Sequence, residues 1–144
     1  MTETRERDIY LARAMGWQYV PPGPETANLY GDDVHCLRDP EGRLWPSPWA
    51  KSEDGAWANL TPEFHEWESA KAKLLRWLAA DDARWYAFDY EITDMWEPLD
   101  TSESWSRFLV TLTPAQVAEA AEKALRALVK AMLALVAEQE AGNG

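Results

Sequence analysis

The closing segment restricts this chain more than any other. Thr113-Pro114 opens it with a helix-capping residue and a proline suited to the first helical position. Gln116 stands where a capping box needs an amide. A helix begun there runs to about Gln139, on the order of 39 Å at 1.5 Å per residue. Val117, Ala121, Ala124, Leu125, Leu128, Met132 and Leu135 form one stripe along it. The far half, LVKAMLALVA, is apolar nearly all round, and a helix of that kind needs cover on more than one side. The cover is either the N-terminal helix of the same chain or something from outside it, a bound partner or a second copy. The second case makes a homodimer through residues 113–140.

The rest of the chain supplies material for one α+β domain, residues 1–144: an antiparallel sheet of about four strands packed by an N-terminal, a middle and a long C-terminal helix. A first helix is predicted over residues 4–15. Ile9, Ala12 and Met15 share a face, Gly16 stands at the left-handed C′ position, and Trp17 folds back behind it. Residues 21–33, with three Pro and two Gly, read as a loop. Val34 to Arg38 and Arg43 to Trp45 make a small hairpin about the turn Asp39-Pro40-Glu41-Gly42, and Pro46 and Pro48 stop the pairing. A middle helix is predicted from Thr61-Pro62 to about Asp81, with Phe64, Trp67, Ala70, Lys71, Leu74 and Leu78 on its stripe. Tyr86, Phe88, Tyr90 and Ile92 alternate with Ala87, Asp89, Glu91 and Thr93. That is period two, the mark of a strand with one dry face. Its return strand is Trp105 to Leu112, with Arg107 placed to pair across with Asp89 or Glu91.

This order of elements resembles the phage ABA-sandwich domain family, small accessory proteins of tailed phages. The matching features are Met15-Gly16-Trp17 at the end of the first helix, the Arg38-Asp39-Pro40-Glu41-Gly42-Arg43 turn, and Pro46-Ser47-Pro48 leading to the middle helix. The late strand pair and Ala121-Glu122-Lys123-Ala124-Leu125 in the closing helix complete them, and the likeness spans roughly residues 9–128. It implies a sheet with helices on it and a phage origin, and no reaction. This chain departs from the pattern in its acids from 89 to 103 and in its longer last helix.

Charge narrows the function classes. There are 25 acidic and 14 basic residues, a net charge of −11, which opposes direct nucleic-acid binding and favours basic partners. Arg5, Arg7 and Arg13 interleave with Glu3, Glu6 and Asp8, so they form no basic patch. MTETRERD carries no apolar signal region, and no apolar run approaches the roughly 20 residues of a membrane span. Cys36 is the only cysteine, which suits a reducing compartment. The expected location is cytoplasmic, the host's cytoplasm for a phage protein.

Motifs for chemistry are thin. His35-Cys36 with His65 and a carboxylate is a weak metal set, because adjacent strand residues face opposite ways. Cys36 with His65 lacks any orienting third group for a nucleophile. Asp89 and Glu91, on one strand face at roughly 6.5 to 7 Å, have the spacing of an acid–base pair but no pocket to split their pKa values. The chain is therefore read as a non-enzyme, with no catalytic residue, metal or cofactor.

The acids themselves remain. From Asp81 to Glu103 there are eight, against the single base Arg84. Asp94, Glu97, Asp100 and Glu103 recur every third residue, about 10 Å apart in an extended chain, which is too sparse to copy a phosphate row. The expected site is a looser acidic patch of Asp89, Glu91, Asp94, Glu97, Asp100 and Glu103, with Trp96 and Trp105 as aromatic anchors. Its partner is a host protein with a basic surface, a nucleic-acid enzyme such as RNA polymerase or a defence nuclease. The alternative is a small-ligand module for a nucleotide signal or a sugar, walled by the Trp-rich stretch 45–57 and the Pro-rich stretch 21–33.

Overall fold

Thr2 begins the first helix by accepting a hydrogen bond from the Arg5 N–H at 3.2 Å, and α1 runs over Glu3–Met15 in the computed structural model. The structure describes residues 2–95 and 105–142 and divides into two units, Met1–Glu63 and Phe64–Gly144. Among the described residues there are seven helices and one three-stranded antiparallel sheet.

In the first unit, Gly16 ends α1 at φ +107°, and the Trp17 N–H bonds back to the Ala12 carbonyl. Ile9, Leu11 and Ala12 turn inward. Strand β1 (Gln18–Val20) follows, then α2 (Pro24–Tyr30), β2 (His35–Arg38), β3 (Leu44–Ser47) and α3 (Glu53–Leu60). The strand order is β1-β2-β3. Leu37 pairs with Tyr19 on one side and Trp45 on the other. The turn between β2 and β3 forms as its residues dictate, with Gly42 at φ +92°. Buried Asp39 clamps it, accepting from the Arg43 N–H at 2.8 Å, Arg43 Nε at 3.0 Å and Trp45 Nε1 at 3.0 Å.

Helix α3 packs on the sheet. Asn59 Nδ2 donates to Ser47 Oγ, and Trp57 is buried beneath the Arg13 guanidinium. Arg5 closes the far end of α3. Its Nε and Nη atoms donate to the carbonyls of Ala58, Thr61 and Pro62, at 2.6 Å for Thr61, and its Nη1 also meets the buried Asp8 at 3.3 Å.

In the second unit, α4 (Glu68–Ala79), α5 (Asp82–Met95), α6 (Trp105–Thr111) and α7 (Pro114–Gly142) follow one another. Helix α7 lies against α5 and α4, and its first half seats Val117, Ala121, Ala124 and Leu125 among Leu74, Leu78, Phe88 and Ile92 in a buried core. Its start is the expected reciprocal box: the Thr113 N–H donates to Gln116 Oε1 at 2.9 Å, and the Gln116 N–H to Thr113 Oγ1 at 3.2 Å. Lys71 on α4 is buried, and its ammonium donates to the Leu112 and Val110 carbonyls at 2.6 and 3.2 Å.

Several expectations are overturned. The sheet has three strands where about four were expected. The stretch Tyr86 to Ile92 is helix α5 and the return strand is helix α6. Phe88 and Ile92 are buried while Tyr86 and Tyr90 are exposed. Residues four apart satisfy both a period of two and a period of 3.6, and here the helix wins because Arg84, Trp85, Phe88, Glu91 and Ile92 make one inward stripe. The cross-strand pairing of Arg107 with Asp89 or Glu91 falls with those strands. The third strand is β1, too short to show a period. The segment 21–33 holds α2, started by Pro24 in the first turn and by the Thr26 hydroxyl, which accepts from the Gly23 N–H at 2.9 Å. Pro46 lies within β3 and pairs with Cys36, which the sheet tolerates because β3 is an edge. No helix starts at Thr61, which closes α3 instead.

Candidate protein-interaction surface

Helix α5 carries the described part of the acidic stretch. Asp81 caps it, its Oδ1 accepting from the Arg84 N–H at 3.0 Å. Thr93 returns its hydroxyl to the Asp89 carbonyl at 2.7 Å. The inward side carries Phe88 and Ile92, with the Trp85 ring tilted against Phe88 at 5.7 Å. On the outward side Tyr86 and Tyr90 are each 71% exposed, one helical turn apart, so their rings are neighbours on one face. Asp82 and Asp89 fall beside that pair by helical position, at roughly 100° per residue.

The one base of the stretch is turned away from this face. The Arg84 guanidinium lies 4.0 Å from the centre of the Trp77 ring on α4 and donates to the Trp77 carbonyl at 2.9 Å. The outward side of α5 then holds Tyr86 and Tyr90 with Asp82, Asp89 and the small residues Ala83 and Thr93, and no base. Aromatic residues of this kind are enriched in protein interfaces, because they offer large contact area with few rotors to freeze.

The structure separates two residues that the sequence reading put together. Asp89 and Glu91, both half-buried, stand roughly 160° apart round the α5 axis, so they share no face. The geometry for an acid–base pair is thereby lost. Asp94 falls in the last turn of α5 and Trp105 at the start of α6. Trp96, Glu97, Asp100 and Glu103 lie outside the described residues. Tyr86 and Tyr90 are the residues that sequence reasoning assigned to the core. The signal that places them outside was present in Asp81 as a cap and in the inward stripe four residues apart.

The other chemical groups are held structurally. Cys36 is fully buried, and burial, with Glu25 nearby, pushes its thiol up, away from the nucleophilic thiolate. His35 Nδ1 lies 2.6 Å from the Tyr19 hydroxyl, with the two rings stacked. Burial, then Glu53 and Cys36, raises the Tyr19 phenol. Burial alone would raise the Asp39 carboxyl, but the hydrogen bonds from Trp45 and Arg43 outweigh it and hold Asp39 below the usual carboxylate range. Among the described residues no three of His, Cys, Asp and Glu gather as a metal site requires. No helix among them is long and apolar enough to cross a membrane.

The two stretches offered as ligand walls attach to the sheet at different residues. The stretch 21–33 reaches the sheet through Glu25 on Arg38, and the stretch 45–57 through α3, whose Asn59 holds Ser47. By strand alternation and register, Arg38 and Ser47 point to opposite faces. Trp49 stands 88% exposed beyond β3. Comparison with protein-family models, curated proteins and solved structures finds no match to this chain.

Proposed function

We propose that this chain is a small acidic accessory protein of the phage type that acts by binding rather than turnover. Its target is a protein with a basic surface, of the kind carried by a nucleic-acid enzyme such as RNA polymerase or a defence nuclease. The contact surface is the outer face of α5 continued by the acids to Glu103. The observation that carries this reading is the pair Tyr86 and Tyr90, bare to solvent beside Asp82 and Asp89 while Arg84 is engaged with Trp77. The phage origin rests on the sequence resemblance, and the sign of the partner on the net charge of −11.

The test is capture from host lysate at rising salt, with mass-spectrometric identification, followed by affinity measurement on the captured protein. Tyr86→Ala with Tyr90→Ala is expected to weaken binding on the order of 10- to 100-fold while helicity is kept, the scale of two exposed aromatic anchors. Reversing Asp94, Glu97, Asp100 and Glu103 to Lys is expected to abolish the salt-sensitive part. Unchanged affinity in both variants removes α5 and the acidic stretch from the site.

A further inference from the structure

Helix α7 is packed for its first half and bare for its second. Val129, Met132, Leu133, Leu135 and Val136 are each between 50% and 65% exposed. These are not scattered. Placed at 100° per residue, Leu128, Val129, Met132, Leu133, Leu135 and Val136 fill an arc of roughly 160°. The back of the same segment holds only Ala127, Lys130, Ala131, Ala134 and Ala137. The arc continues the buried stripe of Ala121 and Leu125 through Leu128, Met132 and Leu135, at the alternating spacing of three and four that a coiled-coil seam uses.

We infer that this half of α7 pairs antiparallel with the same half of a second copy of the chain. Charge placement selects both the occupant and the direction. The inner end of the bare segment holds Arg126 and Lys130, and the outer end Glu138 and Glu140. Those two acids sit at the end of the helix where the macrodipole is already negative, and no base stands in that last turn. In an antiparallel pair crossing near Leu133, Arg126 of one copy lies level with Glu140 of the other. A two-fold axis brings like flanks together, and both residues flank the same edge of the arc. A parallel pair sets Arg126 level with Arg126 and Glu140 with Glu140. Arg126 already meets Glu122 at 3.2 Å within its own helix, so the second copy adds a carboxylate to an existing pair. A lipid surface fits the segment less well. Residues 126–142 carry two bases and two acids, without the Lys and Arg excess of interfacial helices, and the chain as a whole is strongly negative.

The full chain, followed by sedimentation across a wide concentration range, is expected to move between 16.4 kDa and twice that mass. Leu133→Glu with Val136→Glu changes only exposed positions, so helicity is expected to stay while the dimer disappears. Arg126→Glu or Glu140→Arg alone is expected to weaken dimerisation several-fold, and the two together to restore it. A short bis-maleimide fixes the direction, since native Cys36 is buried. Leu133→Cys should link to itself, and Arg126→Cys should link to Glu140→Cys but not to itself. A monomer at every concentration, a dimer indifferent to Leu133→Glu with Val136→Glu, or self-linking at position 126 overturns the proposal. Recruitment of a monomer to anionic vesicles does so as well. None of these readouts depends on the partner of α5.

Discussion

Leu60-Thr61-Pro62 and Leu112-Thr113-Pro114 are the same three residues, each set at the end of a short helix. At both places a cation from another helix takes the last carbonyls. Arg5 spans three with its planar fork, those of Ala58, Thr61 and Pro62, and Lys71 takes two, those of Val110 and Leu112. The next step differs. Helix α7 begins at once after Thr113, whereas after Thr61 no helix begins until Glu68. The difference lies three residues on. Gln116 reaches back to the Thr113 N–H, while the corresponding residue after Thr61 is Phe64, which is buried and has nothing to donate or accept. Threonine-proline permits a helix start, and the third residue decides whether it happens.

Removing the cations should break this parallel most severely, and unequally. Arg5→Met strips three carbonyls of a donor and takes from buried Asp8 its Arg5 partner. The expected loss is about 3–5 kcal/mol, the scale of breaking a buried ion pair. Denaturant unfolding gives its size. Hydrogen exchange places it, with protection lost first in residues 1–63.

That asymmetry also marks what can be read from the chain alone. The Gly16 cap, the Asp39–Gly42 turn and the Thr113–Gln116 box were legible because each is settled by a few residues close in sequence. Arg5 on α3 and Lys71 on α6 join residues about 40 to 57 positions apart, and no local pattern announces them. Helix α5 was misread for a different reason: Tyr86 and Tyr90 keep step with Phe88 and Ile92 at period two, and the Asp81 cap and the inward placement of Arg84 and Trp85 are what separate helix from strand. The candidate surface moved with that element. Its acids were visible as composition, but the exposure of its rings depends on which face packs against α7.

Lys71→Met is the milder counterpart. The methionine stem keeps the packing, and two carbonyls lose their donor with no buried carboxylate left behind, because the Glu68 partner at 3.7 Å is largely exposed. The expected cost is about 1–3 kcal/mol, with exchange protection lost first across α6 and the start of α7. A loss equal to that of Arg5→Met, or one spread evenly over the chain, would show that the two caps are not separate local devices.

The smallest effect is the sharpest, because it differs in sign. The Thr113 hydroxyl accepts from the Gln116 N–H, so Thr113→Val is expected to cost about 1 kcal/mol, the usual worth of an N-cap. Thr61 is buried with its Oγ1 unpaired among the described residues. Valine there has nearly the same shape and no hydroxyl to desolvate, so Thr61→Val is expected to leave stability unchanged or raise it by up to about 1 kcal/mol. Paired urea melts of the two variants measure this directly. Equal losses at both sites would mean that the Thr61 hydroxyl is satisfied in solution, and that the two Leu-Thr-Pro segments are closer in role than their geometry indicates.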